Sequence, residues 1–391
     1  MKNSSMFNAY IENKPLYYKE IDHERIAKAY RLLKEHIRRP LTIHVVGTNG
    51  KGSTGRIMAT LLYESNKTVG HFSSPHILAF NERIWLNGHN ILDQDLEVAH
   101  QKLYHILGQD MSDALSYFEY TTLLFLVATE DLDIVVLEAG LGGEFDATNV
   151  VKKELSVITP IGLDHQDFLG DTIEKIAETK LNSIDQKVVI ALQRNKVVYD
   201  VAHNISNIKG SLLHLVAREE CVDLQSRVAE LGWADYLYEN ATLALKALDI
   251  LNLAYNLNSL TKVNLFGRFY EIQPNVTIDV GHNILATEAL SQAIEKKYKG
   301  EKIVLVYNSL LDKEYFKILK CFKPFIKWVE IIDIDTDRAI DRRKLENSLV
   351  KLEIKQREFD QLEKGNHYFV FGSFYVIEAF LKKIKYSIKN K

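Results

Sequence analysis

The chain has 391 residues, of which 46% are apolar and 26% are charged, as in typical soluble globular proteins. This length predicts a large hydrophobic core and two domains. A formal net charge of −3 argues against general nucleic-acid binding but permits a local basic pocket for an anionic substrate. With two cysteines, Cys221 and Cys321, the sequence excludes a disulfide framework and a four-cysteine zinc site.

The sequence contains no pattern that predicts export or membrane insertion. The first ten residues lack the basic segment and the apolar run of a signal peptide. No apolar stretch is long enough to span a bilayer. We therefore expect a cytoplasmic protein that associates with neither membranes nor nucleic acids.

Short β-rich runs alternate with helical patterns in the first part of the chain. This alternation predicts an α/β fold with a mostly parallel sheet and helices on both of its faces. Ligands of such sheets usually bind at the carboxyl ends of the strands. The predicted strands cover residues 41–46, 68–72, 134–137, 155–159 and 187–191, and the predicted helices cover residues 54–65, 96–107, 117–130 and 172–181.

A second series of strands and helices follows, and it predicts a smaller C-terminal α/β domain. We place the boundary between residues 262 and 263 and interpret the basic tail, residues 382–391, as a solvated chain end. The predicted strands here cover residues 276–280, 302–307, 328–332 and 367–371, and the predicted helices cover residues 284–297, 314–321 and 374–384.

The first predicted strand runs into a glycine-rich segment made of Gly47, Thr48, Asn49, Gly50, Lys51, Gly52, Ser53 and Thr54. Glycines let backbone N–H groups converge on phosphate oxygens, and the N-terminus of the following helix favours an anion. Lys51 would contact the terminal phosphates of a nucleotide, and the Ser53 hydroxyl would ligate magnesium. The strict nucleotide-loop pattern is not met, because Val45 replaces its first glycine and Gly52 separates Lys51 from Ser53. An ordinary strand-to-helix turn therefore remains an alternative interpretation.

Polar residues follow several of the other predicted strands. Glu138 ends an apolar strand before a glycine-rich stretch, and a buried carboxylate requires a metal or a basic partner. His165 follows another strand and could be a metal ligand or an acid–base group. Each of these residues, and the loop that contains Ser74, is also compatible with an ordinary polar connection. Lys180, in the helix predicted over residues 172–181, is by default a surface lysine.

The predicted C-terminal domain contributes a further polar cluster. Asp279, His282 and Asn283 lie at a strand-to-helix turn, and Arg268 precedes them in the chain. An arginine can stabilise the charge on a phosphoryl group during its transfer. Asp and Asn are also common at such turns for reasons of backbone geometry alone.

Taken together and in this order, these segments resemble the folylpolyglutamate synthase/dihydrofolate synthase family of the Mur ligase superfamily. The matching segments are residues 47–53, 74–75, 81–84, 137–143, 146, 148–149, 161–165, 168–172, 176–177, 180, 267–269, 279 and 282–283. The resemblance implies an N-terminal P-loop ATPase-type domain, residues 1–262, and a C-terminal glutamate-ligase domain, residues 263–391. The glycine-bearing signature common near the N-terminus of the family is not evident in residues 17–30.

The resemblance also implies an activity. In this family ATP phosphorylates a pterin-bearing carboxylate, and the amine of L-glutamate attacks the acyl phosphate to form an amide and release phosphate. The acceptor is dihydropteroate, or the γ-carboxylate of a reduced folate, or both. Magnesium and cationic side chains offset the electrostatic repulsion between the acceptor carboxylate and ATP. The resemblance also implies that the enzyme is a monomer.

The site residues carry over position by position. Loop 47–54 corresponds to the loop that binds the triphosphate of ATP, and Arg268 and Asp279 correspond to further nucleotide-binding residues. Ser74 and Glu138 correspond to ligands of a first magnesium ion, beside Ser53. His165 corresponds to a ligand of a second ion, together with a carbamylated Lys180. The residues that the resemblance places at the reaction are Lys51, His165, Lys180, Arg268, Asp279 and His282.

Three other functions are less compatible with these residues. A superfamily ligase that acts on cell-wall precursors is disfavoured by Ser74-Pro75 followed by residues 81–84. A nucleotide-dependent switch would have no need of a second metal site, and a purely structural protein would leave the polar residues unexplained.

Overall fold

The computed structural model describes residues 6–15, 22, 24–217 and 222–386. Cys221, part of segment 17–30 and residues 387–391 of the basic tail lie outside the described residues. Among the described residues, no helix has both the length and the apolar character needed to cross a membrane.

The chain forms two compact units. The first unit consists of residues 1–162, 166–227 and 239–263, and the second consists of residues 163–165, 228–238 and 264–391. Two short segments, Leu163–His165 and Val228–Tyr238, therefore belong to the second unit although their chain neighbours belong to the first.

The first unit is built on an eight-stranded sheet. Its strands are β1 (Leu41–Val46), β2 (Val69–Phe72), β3 (Ile84–Leu86), β4 (His89–Asn90), β5 (Ile134–Glu138), β6 (Leu155–Ile158), β7 (Lys187–Ile190) and β8 (Leu212–Leu215). They lie in the order β4-β3-β2-β5-β1-β6-β7-β8, and the pairs from β2 to β8 are parallel, whereas β3 pairs antiparallel with β2 and β4. Every residue of β5 and β6 is buried, as expected for a parallel sheet that is covered on both faces.

Ten α-helices occur in the described part of the chain up to residue 250. They are α1 (Met6–Glu12), α2 (Arg25–Leu33), α3 (Lys51–Tyr63), α4 (Asp93–Ala114), α5 (Tyr117–Ala128), α6 (Gln166–Leu169), α7 (Ile173–Leu181), α8 (Val197–Lys209), α9 (Val222–Glu230) and α10 (Asp235–Ile250). The helix predicted over residues 54–65 begins three residues earlier than expected, at Lys51, so Lys51, Gly52 and Ser53 form its first turn.

The second unit contains a six-stranded sheet. Its strands are β9 (Tyr270–Gln273), β10 (Val276–Asp279), β11 (Ile303–Tyr307), β12 (Ile326–Ile331), β13 (Gln356–Glu358) and β14 (Tyr368–Phe371), and its helices are α11 (Ile284–Tyr298), α12 (Tyr315–Phe322), α13 (Arg342–Lys351) and α14 (Phe374–Lys383). The strands lie in the order β13-β12-β11-β14-β10-β9, and β9 is antiparallel to β10. The predicted α/β fold, a larger mostly parallel sheet and a second smaller sheet domain, is confirmed.

Candidate active site

The glycine-rich loop connects the buried strand β1 to α3. Gly50 is the N-cap of α3 with a φ of +87°, and a glycine there offers no side-chain oxygen to the N–H groups of the first turn. Before the helix, the N–H groups of Thr48 and Asn49 donate to the carbonyl of Pro160, at 3.0 and 3.3 Å, and these bonds hold the loop in place. The first turn of α3 therefore has the geometry of an anion site, because its first N–H groups have no acceptor inside the helix.

Gly47 provides a direct test of this loop geometry. Its φ is +156°, and a Cβ atom built on it would lie 1.9 Å from the Thr159 hydroxyl oxygen. We expect Gly47→Ala to lower the free energy of unfolding by about 3 kcal/mol, because the side chain cannot fit without moving the loop. Gly210 is the control, since its φ is +66° but a Cβ atom built on it would have no neighbouring atom within 4 Å. Chemical denaturation should show the larger loss for Gly47→Ala, and equal losses would contradict the steric argument.

Two lysine amines converge on the carbonyl of Gly47. Lys51 Nζ lies 3.3 Å from this oxygen and 3.4 Å from the carbonyl oxygen of Thr48. Lys180 Nζ, from α7, donates to the same Gly47 oxygen at 2.9 Å. Lys180 is only 4% exposed, so the interpretation as a surface lysine is wrong. The two amines concentrate positive charge beside the first turn of α3, where an anion would be stabilised.

Asn240, on α10, is a site residue that the sequence did not reveal. Its side chain is buried, and its Nδ2 donates to the Ser53 hydroxyl oxygen at 2.9 Å. The Ser53 hydroxyl in turn donates to the carbonyl of Gly50 at 3.3 Å. Gly50 must lack a side chain, because its Cβ would lie 2.6 Å from Asn240 Oδ1. Asn240 thus fixes the orientation of the hydroxyl that the sequence assigns to magnesium.

Ser74 and Glu138 lie together at the carboxyl ends of β2 and β5. The backbone N–H of Ser74 donates to Glu138 Oε2 at 3.3 Å, and Glu138 is 4% exposed. Burial lowers the pKa of Arg56 to about 10, and the charges of Glu138 and Glu82 oppose that shift. Burial also lowers the pKa of Arg83, and Glu138 again opposes the shift. The buried carboxylate therefore has basic neighbours, of which Arg56 was not singled out from the sequence.

The donor atoms of Ser53, Ser74 and Glu138 fit magnesium chemically, because Mg²⁺ prefers hard oxygen ligands. In the described part of the chain, no group of three or more His, Cys, Asp and Glu side chains could hold a metal ion. This finding is compatible with magnesium, since the ion usually keeps waters and substrate phosphate oxygens beside one or two carboxylates.

A buried polar network supports the glycine-rich stretch after β5. Asp146 accepts hydrogen bonds from the N–H of Leu141 at 2.7 Å and from the Thr148 hydroxyl at 2.6 Å. His44 Nε2 lies 2.7 Å from the same hydroxyl oxygen. Burial raises the pKa of the Asp146 carboxyl, and its hydrogen bonds to Thr148 and the nearby charge of Lys51 oppose that rise. The network positions the backbone that follows Glu138.

In the second unit, Asp164 is the centre of a cluster of charged and polar side chains. Its carboxylate lies 2.5 Å from Lys313 Nζ and 3.6 Å from His282 Nε2, and it accepts a hydrogen bond from Asn283 Nδ2 at 2.9 Å. Burial opposes ionisation of Asp164. The hydrogen bond and charge of His282, followed by the charges of Lys313 and His165, outweigh burial and hold the pKa of the carboxyl well below its usual range. The cluster thus brings His165 and His282 to one carboxylate.

Asp279, at the end of β10, is a second carboxylate of this unit that lies among polar partners, and it is 4% exposed. It accepts hydrogen bonds from the Tyr236 hydroxyl at 2.9 Å, from the N–H of Phe269 at 2.8 Å and from the N–H of Gly281 at 2.7 Å. Arg268 precedes Phe269, and its guanidinium lies 5.3 Å from the ring centroid of Phe374. The structure therefore connects Arg268 and Asp279 through one hydrogen-bonded turn.

Residues 45–220 match the family described as the Mur ligase middle domain. This match identifies a Mur ligase middle domain in the first part of the chain, and the glycine-rich loop lies at its start. The dihydrofolate synthase/folylpolyglutamate synthase of Buchnera aphidicola subsp. Schizaphis graminum is 30% identical over 376 residues, which cover 89% of this chain and 88% of that protein. The chain belongs to the dihydrofolate synthase/folylpolyglutamate synthase family, and the predicted family and ATP-dependent ligase activity are confirmed.

Two solved structures support this membership. The folylpolyglutamate synthetase of Helicobacter pylori is 39% identical, with a TM-score of 0.81 over 98% of this chain and all of that one. FolC of Escherichia coli, solved in complex with DHPP and ADP, is 25% identical, with a TM-score of 0.81 over 96% of each chain.

Proposed function

We propose that this enzyme joins L-glutamate to dihydropteroate, to the γ-carboxylate of a reduced folate, or to both. The observation that carries the proposal is the first turn of α3 with the amine of Lys51 beside it. This arrangement suits a triphosphate, and the DHPP and ADP bound by the E. coli relative suit the acceptor and the product nucleotide.

The proposed reaction has two steps. A carboxylate oxygen of the acceptor attacks the γ-phosphorus of ATP, which gives an acyl phosphate and ADP. The amine of glutamate then attacks the acyl carbon and loses a proton, and phosphate leaves as the amide forms. The acceptor carboxylate must be activated because it is a poor electrophile. Cationic groups are needed as well, because the carboxylate and ATP are both anionic.

The residues of this chain have distinct roles in the proposal. Loop 47–54 holds the triphosphate, and Lys51 neutralises its terminal charge. Ser53, Ser74 and Glu138 hold one magnesium ion, which supplies Lewis-acid stabilisation when it is bound. His165 and a carbamylated Lys180 hold a second ion. Carbamylation joins the neutral lysine amine to CO₂ with loss of a proton, and it replaces a cation by an oxygen ligand.

The remaining roles lie in the second unit. Arg268 contacts the γ-phosphate, and Asp279 and His282 act at the nucleotide and the phosphoryl-transfer centre. We assign ATP binding to residues 1–262 and glutamate ligation to residues 263–391, and we propose that the enzyme is a monomer in the cytoplasm.

The test is incorporation of labelled glutamate with ATP and magnesium, run separately with dihydropteroate and with a reduced monoglutamyl folate. We expect one ADP and one phosphate per amide formed, with at least one of the two acceptors. Incorporation in the absence of both acceptors, or no incorporation with either, would overturn the assignment of the substrate.

A further inference from the structure

The turn that carries Arg268 has an unfavourable backbone conformation. Gly267 has a φ of +75° and Phe269 has a φ of +46°. The left-handed region is uncommon for residues other than glycine, and it is costly for a bulky residue such as phenylalanine. The surrounding structure must therefore hold residues 267–269 in place.

The end of β10 binds both ends of this turn. The N–H of Val280 donates to the carbonyl of Gly267 at 3.0 Å, and the N–H of Phe269 donates to Asp279 Oδ2 at 2.8 Å. The other carboxylate oxygen of Asp279 accepts from the N–H of Gly281 at 2.7 Å. The orientation of the Asp279 carboxylate consequently determines the backbone position from which the Arg268 side chain extends.

Tyr236 supplies a side-chain donor to this carboxylate. Its hydroxyl donates to Asp279 Oδ2 at 2.9 Å, on the same oxygen that binds the N–H of Phe269. The segment Val228–Tyr238 belongs to the second unit, and the neighbouring Asp235 forms an ion pair with Lys296 at 2.5 Å. Tyr236 is thus placed against Asp279 by contacts within that unit.

Because Asp279 is buried, the hydrogen bond from Tyr236 affects the ionisation of its carboxyl. Burial raises the pKa of the Asp279 carboxyl, and the charge of Arg268 and the hydrogen bonds from Gly281, Tyr236 and Phe269 oppose that rise. Because hydrogen bonds to a buried charged group are among the stronger ones in proteins, each donor contributes to keeping the carboxylate ionised and fixed.

We propose that Tyr236 is a positioning residue for Arg268. Its hydroxyl fixes the Asp279 carboxylate, the carboxylate fixes the turn at Phe269, and the turn directs the guanidinium over the ring of Phe374, 5.3 Å from the ring centroid. The inference rests on the proposed contact of Arg268 with the γ-phosphate.

The test compares Tyr236→Phe with Tyr298→Phe. Each variant loses one hydroxyl, and the Tyr298 hydroxyl lies 3.0 Å from the side-chain oxygen of Thr277, on the same strand as Asp279. We expect kcat to fall about tenfold in Tyr236→Phe with KM for glutamate unchanged, because a misplaced cation weakens the transition state. Tyr298→Phe should keep kcat within about twofold, since it removes no contact to Asp279.

A pH profile adds a readout that a purely structural role would not move. Loss of the Tyr236 hydroxyl removes a hydrogen bond that lowers the pKa of Asp279, so this pKa rises in the variant. The acid limb of the kcat profile should therefore move to higher pH in Tyr236→Phe and stay in place in Tyr298→Phe. Both variants keep Arg268, whose charge opposes the rise in the pKa of Asp279.

Arg268→Ala separates failure of this inference from failure of the proposed function. If Tyr236 acts through Arg268, adding Tyr236→Phe to Arg268→Ala should cause no further loss of kcat. A normal Tyr236→Phe beside a strongly impaired Arg268→Ala, or losses that multiply in the double variant, would overturn the inference alone. Full activity of Arg268→Ala would overturn the role of Arg268 and the inference with it.

Discussion

Replacing Lys180 by alanine should lower kcat about 10³-fold, because it removes a buried side chain of α7 that contacts loop 47–54. Lys180 Nζ donates to the carbonyl of Gly47 at 2.9 Å, so the variant also leaves that oxygen without this donor. As a carbamate, the same side chain would supply oxygen atoms to a metal ion, and alanine supplies none. The measurement is the steady-state rate of glutamate incorporation at saturating ATP and magnesium.

Lys175→Ala is the matched control for this variant. Lys175 lies on the same helix, α7, but its side chain is exposed and pairs with Asp171 at 3.0 Å. Its loss should leave kcat nearly unchanged, because exposed ion pairs contribute little. Undiminished activity of Lys180→Ala would rule out the proposed role. Incubation of the wild-type chain with ¹³C-bicarbonate should give a carbamate ¹³C signal that Lys180→Ala lacks, and a signal shared by both proteins would place the carbamate elsewhere.

Replacing Lys51 by alanine should lower kcat/KM for ATP about 10³-fold, since the terminal phosphates lose their nearest cation in the proposal. The amine now lies 3.3 and 3.4 Å from two loop carbonyls. Hydrogen bonds of this length are weak, so the amine can exchange them for a phosphate at little cost. The measurement is the initial rate against ATP concentration at fixed magnesium.

Lys67→Ala is the control for Lys51→Ala. Lys67 follows the end of α3 and is exposed, so its removal changes the net charge equally without touching the loop. A similar loss of kcat/KM in both variants would mean that overall charge, rather than the position of Lys51, determines the effect. The melting temperature of both variants should also be measured. A much lower melting temperature for Lys51→Ala would mean that its loss of kcat/KM comes from unfolding.

The fold was predictable where buried apolar runs alternate with helical periods. The strands predicted over residues 41–46 and 134–137 are β1 and β5, which differ from the predicted bounds by one residue at most. The short strands β3, β4, β8, β9 and β13 were not predicted. Both residues of β4 are exposed, and the residues of β8 are exposed or partly so, because these strands lie at the sheet edges. Edge strands of this kind lack the continuous apolar run that identifies a central strand.

From the residues alone, the candidate site could be proposed only where one local segment contains the chemistry, and the other candidate residues came from the family resemblance. Loop 47–54 combines glycines, a lysine and hydroxyls in eight consecutive residues, so its pattern is legible from the sequence. Asn240 lies 187 residues beyond Ser53, and Tyr236 lies 43 residues before Asp279, so no local spacing indicates either hydrogen bond. The helix pattern alone likewise predicted an exposed Lys180, because a lysine near the end of an amphipathic helix is usually solvated, and only the family resemblance suggested a different role for it.

The most direct test of the central claim follows oxygen during turnover. Dihydropteroate labelled with ¹⁸O in its carboxylate, or a reduced folate labelled in its γ-carboxylate, is ligated to glutamate with unlabelled ATP in unlabelled water. An acyl phosphate requires that one carboxylate oxygen leaves with the phosphate, so each phosphate released should contain one ¹⁸O atom. Phosphate without ¹⁸O, formed together with the amide, would contradict the proposed mechanism.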